Sequence, residues 1–141
     1  MKDLQNHVSI VSLLDPVVVS ATATITDIDL AGFGSAVLVL SFGLDAGTGL
    51  AAGVHQLDFV LYDSADGTTY AVVETDDMVD TTVTAGSIFT LDTTAKDNEI
   101  YQFGYVGGQR YLQLIYTETG TVSCPMAIWL VKGNPLDIPI L

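Results

Sequence analysis

A glycine-rich segment is the first place in this sequence where residue type and spacing could support chemistry. Residues 47–52 read Gly-Thr-Gly-Leu-Ala-Ala, the Gly-x-Gly-x-x-Ala form of the dinucleotide fingerprint. That fingerprint binds a pyrophosphate only between a strand and the N-terminus of a helix. Here Gly53 and a β-like segment follow, so we interpret residues 47–52 as a loop that binds no cofactor.

Two groups of aspartates have the oxygen ligands that calcium prefers. Asp63 and Asp66 lie in the segment Asp-Ser-Ala-Asp-Gly, and Asp76, Asp77 and Asp80 lie further along the chain. A calcium loop of the EF-hand type needs ligands at alternate positions and a bidentate glutamate at its end, and neither group has that spacing. We predict a turn at 63–67, with a weak surface calcium site as the alternative, a solvated loop at the second group, and no bound metal.

No arrangement of nucleophile and base stands out. The two histidines, His7 and His55, do not form a pair with metal-binding spacing, and no Gly-x-Ser-x-Gly sequence is present. The one cysteine, Cys124, lies at the edge of an apolar run, where we interpret it as a packing residue. We therefore expect a protein that is not an enzyme.

The charge of the chain excludes two classes of partner. Four Lys and Arg residues stand against 17 Asp and Glu residues, which gives a net charge of −13. Binding to nucleic acid needs clustered cations that displace counterions from phosphates, and anionic membranes attract basic segments for the same reason. We expect neither a nucleic acid nor a membrane as a partner.

The elements that must carry these residues are β-strands. Val, Ile and Thr are abundant, and their β-branched side chains suit pleated strands better than helices. Gly and Pro interrupt the chain often, and a composition of 49% hydrophobic and 15% charged residues is typical of a folded domain. We predict an all-β, antiparallel β-sandwich, jelly-roll-like or related, with an extended N-terminal arm and a C-terminal tail.

Hydrophobic patterning locates two of these strands in detail. In residues 17–26, Val, Ala and Ile alternate with Ser and Thr, and the phase then flips. Because a shift of one residue turns every side chain over, we predict a bulge near Thr26 and Asp27. The segment 36–42, which is apolar except for Ser41, predicts a strand that is covered on both faces.

Turn residues predict two hairpins. Residues 56–62 and 69–74 flank the turn at 63–67, and residues 100–106 and 110–118 flank a Gly-Gly pair. Two glycines between apolar segments are a strong signal for a tight turn between paired strands. We therefore expect both pairs of segments to form antiparallel hairpins.

An aromatic strip offers a possible binding surface. Tyr101, Phe103 and Tyr105 share one face of a predicted strand. Exposed rings in this arrangement could stack on sugars, which would make the domain a carbohydrate-binding module. We favour the alternative that they pair with other side chains in the core or at an interface, and we also assign Trp129 to the core.

Several segments together point to a known family. The chain opens with Met-Lys-Asp-Leu-Gln-Asn-His, contains Ser-Ala-Asp-Gly-Thr-Thr-Tyr at 64–70 and Tyr-Val-Gly-Gly-Gln-Arg-Tyr at 105–111, and closes with Lys-Gly-Asn-Pro followed by Pro139. In this order the segments resemble a family of small virion-associated proteins from tailed phages and prophages. Gln109 stands where the family usually has a lysine.

The resemblance implies a non-enzymatic virion structural protein. Capsid decoration, also called cement, is the first choice within that class; a neck or tail component, or a virion carbohydrate-binding module, is the alternative. The implied partners are the major capsid protein and copies of this chain, as a trimer. The implied location is the outer capsid surface, after synthesis in the host bacterial cytoplasm.

We divide the chain into an N-terminal arm at 1–16, a sandwich domain at 17–131 and a C-terminal tail at 132–141. Both ends are apolar, and apolar chain ends tend to dock on their own domain or on a neighbouring subunit. We therefore expect assembly contacts in the arm, in the tail and at one hairpin arginine, namely at Leu4, His7, Val8, Ile10, Val11, Arg110, Leu136, Ile138, Ile140 and Leu141.

Overall fold

The computed structural model describes residues 4–136, and most of these residues lie in β-strands. Short 3-10 turns lie at Gln5–His7 and Thr75–Asp77. No helix in the described part of the chain is long and apolar enough to cross a membrane. The strands are β1 (Val8–Val19), β2 (Ala23–Asp29), β3 (Phe33–Phe42), β4 (Gln56–Ser64), β5 (Ala71–Val72), β6 (Met78–Val79), β7 (Ser87–Leu91), β8 (Ile100–Tyr105), β9 (Tyr111–Thr119) and β10 (Cys124–Pro135).

The strands form two antiparallel sheets. Sheet A has the order β1-β10-β3-β8-β6, and sheet B has the order β2-β9-β4, with β5 and β7 both paired to the far edge of β4. Apart from β4 and β7, which pair with each other in sheet B, the long strands alternate between the sheets along the chain. As a result, β1-β10-β3-β8 lies against β2-β9-β4-β7. This strand order is that of a jelly roll, and the predicted all-β antiparallel sandwich is confirmed.

Alternation in β3 shows how the sheets make one core. Leu38 and Leu40 are fully buried between the sheets, whereas Val37 and Val39 point outward and are only half-buried. The prediction that residues 36–42 are covered on both faces is therefore wrong. The other described elements all belong to the two sheets or to their connections, so none of them lies over the outer side of sheet A.

The predicted bulge near Thr26 and Asp27 is confirmed. The register between β2 and β9 shifts between Ile25 and Ile28, and Asp27 has a φ of 60°. The extra residue lets Ile25 and Ile28 both point into the core on either side of the irregularity.

One predicted hairpin forms and the other does not. β4 and β5 pair around the turn at 63–67, with Tyr62 opposite Val72. The segments on either side of Gly107 and Gly108 become β8 in sheet A and β9 in sheet B, so they do not pair with each other. The two glycines instead belong to a connection that crosses from one sheet to the other.

The two ends of the chain require a correction to the predicted boundaries. Residues 8–16 of the predicted arm lie in β1 and pair with β10, and Leu13 and Leu14 pack against the core. Residues 132–135 of the predicted tail lie in β10. Both ends of the chain are therefore part of the sandwich, because β1 and β10 pair with each other over most of their length.

β1 is an edge strand that is irregular along its length. It has no strand on its free side among the described residues. Its register with β10 shifts between Ser12 and Leu14 and again between Leu14 and Val17. Asp15 and Pro16 lie in the second irregularity, where a proline needs no partner for a backbone N–H.

Aromatic rings fill one end of the core. Phe42, Phe59, Phe89 and Tyr101 pack with ring centroids 4.3–6.1 Å apart. Phe103 and Tyr105 are buried as well, which confirms core packing for the aromatic strip. Trp129, in contrast, is half-buried on the outer side of sheet A and not in the core.

Candidate partner-binding surface

Three rows of residues cross the outer side of sheet A, and none of their members is charged. The rows follow the antiparallel register, in which opposite residues point to the same side. We call these positions the uncharged face: Ile10, Val131, Val37, Gly104 and Val79 in the first row, Ser12, Trp129, Val39 and Gln102 in the second, and Ala127, Ser41 and Ile100 in the third.

The uncharged face is mainly apolar; its outer strands are open to solvent, whereas its central residues are half-buried and Ala127 is buried. Ile10, Ile100 and Val79 are 69%, 63% and 48% exposed. A Cβ atom at Gly104 would lie 3.1 Å from Cγ2 of Val79, so the missing side chain lets Val79 lie close to the sheet. Contiguous apolar surface of this kind marks interaction sites on soluble proteins.

One carboxylate lies at the β1 edge of this face. Asp15 accepts a hydrogen bond from the hydroxyl of Ser12, with 2.7 Å between Oγ and Oδ1. At the opposite edge, the exposed Glu99 precedes β8. The register between β3 and β8 continues to place Glu99 opposite the buried Phe42, so its side chain starts from the core side of sheet A.

The described cations have partners away from the uncharged face. Lys96 Nζ lies 2.7 Å from Oδ1 of Asp92, and Arg110 pairs with Asp29. The ammonium of Lys132 lies 4.6 Å from the ring centre of Phe33, at one end of the sandwich. Positive charge is therefore held at other places on the molecule.

The outer side of sheet B is polar. Asp58 accepts hydrogen bonds from the hydroxyls of Ser87 and Thr90, at 2.6 and 2.8 Å. Val60 and Ile115 also point outward. The neighbouring outward positions are otherwise mainly hydroxyl and amide side chains, namely Thr24, Gln56, Tyr62, Tyr111, Gln113 and Thr117.

An ion pair borders the outer side of sheet B. The Arg110 guanidinium donates two hydrogen bonds to Asp29, with Nε–Oδ1 and Nη2–Oδ2 distances of 3.0 and 2.8 Å. This pairing lowers the pKa of Asp29 to about 2. Arg110 also lies 4.8 Å from the ring centre of Tyr111, so this predicted assembly residue has its partners within the chain.

A partly buried hydrogen bond joins the two sheets at one end of the sandwich. The Tyr105 hydroxyl donates to Oδ2 of Asp63 over 2.7 Å and accepts from the backbone N–H of Gln109. Burial raises the pKa of Asp63 and also that of Tyr105. Gly107 is required here, because a Cβ atom would lie 2.7 Å from the Tyr105 hydroxyl. This arrangement positions a loop and presents no free reactive group.

The motifs considered for catalysis and metal binding have structural roles or lack partners for chemistry. In the predicted turn, Asp66 accepts hydrogen bonds from the N–H groups of Thr68 and Thr69, and Gly67 has a φ of 74°. Residues 47–52 are not followed by a helix. Among the described residues, no group of three His, Cys, Asp or Glu side chains could hold a metal ion.

The cysteine is inert. Cys124 is fully buried, and its Sγ atom lies 3.3 Å from the carbonyl oxygen of Gly43. Burial raises the pKa of its thiol to about 11. Because thiolates carry out cysteine chemistry, this residue is poorly placed for exchange or metal binding.

The structure places the predicted assembly residues at several sites. Ile10 lies on the uncharged face, Val8 and the exposed Val11 lie next to it in β1, and His7 lies in the preceding turn. Ile138, Ile140 and Leu141 lie outside the described residues. Leu4 and Leu136 are 71% and 76% exposed, and the N–H of Leu136 donates to the carbonyl of Gly32.

Sequence reasoning missed most of the uncharged face. Val37 and Val39 belong to the segment 36–42, for which the sequence predicts cover on both faces, and Trp129 is predicted to lie in the core. The available signal was the absence of a helical pattern that could cover a second side of sheet A. Without such an element, apolar residues at successive positions must point both into the core and outward.

Comparison with known proteins finds similarity among solved structures. No protein-family model matches the chain, and no curated protein matches it. A solved structure of Bacillus endospore appendages, described as disulfide-linked pili, is 12% identical, with 96% of each chain covered and a TM-score of 0.42. Two structures of infectious bursal disease virus are each 15% identical: the Gx strain, with a TM-score of 0.39, and the VP2 subviral particle, with a TM-score of 0.32. The match covers 92% and 91% of this chain but only 32% and 42% of those two viral chains.

Proposed function

We propose that this protein is a non-enzymatic structural protein of a tailed phage or prophage virion, and that it decorates the outer capsid surface as a cement protein. The observation that carries the proposal is the uncharged face on a chain with a net charge of −13. A protein that acts alone rarely leaves such a face open. The phage context comes from the sequence resemblance.

The size of the uncharged face suits repeated docking. Five strands about 4.8 Å apart, read over three rows of outward residues, present roughly 400 Å². Stable interfaces bury about 800 Å² on each partner, so one copy would dock weakly by this face. Self-association, as in the proposed trimer, would link several weak contacts and raise the overall affinity.

The outer side of sheet B fits the solvent side of such a layer. Its hydroxyls and carboxylates keep hydrogen bonds within the chain or with water. The remaining negative charge would keep decorated particles apart in solution. Synthesis in the host cytoplasm and later addition to the capsid complete the proposal.

A neck or tail component is the second candidate, because the same face could dock there. The carbohydrate-binding alternative has lost its supporting observation. Phe103 and Tyr105 are buried in the core, and Tyr101 packs against Phe89 with ring centroids 4.3 Å apart. The three rings of this strip are therefore not free to stack on sugars.

The test is the position of this chain in particles of the phage that encodes it. Cryo-electron microscopy of virions with and without the protein should show its density repeated over the outer capsid lattice. Density confined to the portal axis or tail would replace the proposal with the second candidate. Particles that never contain the chain would end both.

Deletion of residues 1–14, which would remove most of the predicted N-terminal arm, is not a suitable test of assembly contacts in that arm. It would remove most of β1, including Leu13 and Leu14, which pack against the core. Loss of capsid binding would then report unfolding as readily as a lost contact. Point substitutions on the uncharged face avoid this difficulty.

A further inference from the structure

A partly open groove lies at the end of the sandwich that the chain reaches after β10. We propose that this groove binds the C-terminal segment of the same chain, residues 137–141, which lies outside the described residues and has the sequence Asp-Ile-Pro-Ile-Leu. The inference depends neither on the uncharged face nor on the proposed function. It assigns a receptor site to an apolar segment that the sequence predicts to dock.

The groove lies beside two connections that cross from one sheet to the other. One connection joins β2 to β3, and the other joins β8 to β9. The groove has a volume of about 390 Å³. Its lining is mainly apolar and includes Leu30, Ala31, Phe33, Ala36, Val106 and Leu136.

Small residues leave this end of the core incompletely covered. The alternation that points Leu38 into the core continues along β3 to Ala36 and Gly34, and both of these line the groove. Val106 and Leu136, which also line it, are 57% and 76% exposed. The groove therefore presents apolar surface that a further segment can bury.

The described chain ends at the groove itself. The N–H of Leu136 donates to the carbonyl of Gly32 over 2.9 Å, and both residues line the groove. The next five residues span up to about 17 Å when extended, which is enough to lie across a groove of this size. Because the segment is covalently attached, it meets the groove at an effective concentration of about millimolar, so that a weak contact is sufficient.

The sequence of the segment suits an apolar groove. Ile138 precedes Pro139, and a residue before proline favours extended backbone. In an extended segment, Ile138 and Ile140 point to the same side. Pro139 between them has no backbone N–H and therefore needs no acceptor when the segment is buried. Both isoleucines can thus enter the groove together.

The groove of a second copy is the competing receptor for this segment. Docking between copies has to overcome the loss of translational and rotational freedom on association. It also brings together chains that each carry a net charge of −13. Docking within one chain has neither cost, so we assign the groove to the segment of its own chain.

The experiment is disulfide trapping in the full-length chain. The trapping variant combines Val106→Cys in the groove with Ile140→Cys in the segment, and it is oxidised mildly at low protein concentration. Two cysteines join only when their Cα atoms come within about 7 Å of each other. Cys124 does not compete, because it is fully buried and burial raises the pKa of its thiol to about 11.

Two controls separate docking from reach alone. Adding Ile138→Thr to the trapping variant keeps the length of the segment and exchanges an apolar side chain for a polar one of similar shape. The second control pairs Ile140→Cys with Val54→Cys. Val54 is 55% exposed but precedes β4 at the other end of the sandwich, where the first residue of β4 lies opposite the last residue of β9. Urea unfolding of the reduced proteins verifies that each variant folds.

We expect the trapping variant to form a disulfide within one chain, about tenfold more slowly when Ile138→Thr is added, and the Val54 control to form none within the chain. A disulfide between two chains would assign the groove to a second copy and overturn the proposal. A rate that Ile138→Thr leaves unchanged, or no disulfide in a folded trapping variant, would overturn it as well. Each of these results leaves the proposed function unaffected.

Discussion

The outer sides of the two sheets share a fold and differ in chemistry. Each sheet points leucines and aromatic residues into the same core. On the outside, the uncharged face of sheet A carries Val, Ile and Trp together with Ser and Gln, whereas sheet B carries mainly hydroxyls and amides, Val60 and Ile115, and a carboxylate with two hydroxyl donors. Both sheets pack through their inner sides, so the two outer sides can differ in chemistry without a change of fold.

The largest difference in stability should be found between substitutions at two neighbouring residues of β3, Leu38 and Val39. Leu38→Ala removes a fully buried side chain and should lower the free energy of unfolding by about 2–5 kcal/mol. Val39→Ala, one residue along and on the uncharged face, should cost less than about 1 kcal/mol. Urea unfolding of the isolated protein measures both. Equal costs would mean that another copy already covers sheet A in solution.

A smaller difference in stability should be found between substitutions of two polar residues, Asp58 on the outer side of sheet B and Gln102 on the outer side of sheet A. Asp58→Ala removes the acceptor for Ser87 and Thr90 and should cost about 1–2 kcal/mol. Gln102→Ala, exposed on the uncharged face, should change stability by less than about 0.5 kcal/mol. The same urea experiment tests the pair. A Gln102 cost as large as that of Asp58 would remove the contrast between the two sides.

The ion pair of Arg110 and Asp29 at the border of sheet B should contribute less to stability. Both partners are partly exposed and screened by solvent, so Arg110→Ala should destabilise the protein at neutral pH less than Asp58→Ala does. The pairing lowers the pKa of Asp29 from 3.8 to about 2. Its stabilising effect is therefore present above the unfolded value and is lost as pH falls through the folded value. Unfolding curves of wild type and variant should converge across that range, and a gap that persists at the lowest pH would contradict this assignment.

The test with the smallest expected effect uses the wild-type protein and measures the solvent accessibility of Trp129. Trp129 is the single tryptophan and lies half-buried on the uncharged face. In the isolated protein, acrylamide should quench its fluorescence readily, because no described element covers it. Protection comparable to that of a core tryptophan would show that the face is already occupied.

Local patterns predicted local features well. The phase flip after Thr26 located the bulge at Asp27, and the turn at 63–67 located the hairpin of β4 and β5. The Gly107-Gly108 hairpin was wrong because a tight turn predicts a change of direction and not which strands pair. That choice depends on contacts between segments far apart in the sequence.

The uncharged face was harder to predict, because it too depends on contacts between segments that are far apart in the sequence. Ile10 was identified because it lies near an apolar chain end. Val37, Val39 and Trp129 were interpreted as covered or core residues, since a hydrophobic run looks alike whether its second side meets its own chain or a partner. Only the strand order shows that no described element covers sheet A.

The irregular edge of β1 has a consequence for copies of this chain in concentrated solution. A long apolar edge strand is a template on which identical chains can stack into cross-β fibrils. In β1, the two register shifts and the charge of Asp15 interrupt that template, and Pro16 lacks one backbone donor. These interruptions oppose polymerisation of the chain through this strand.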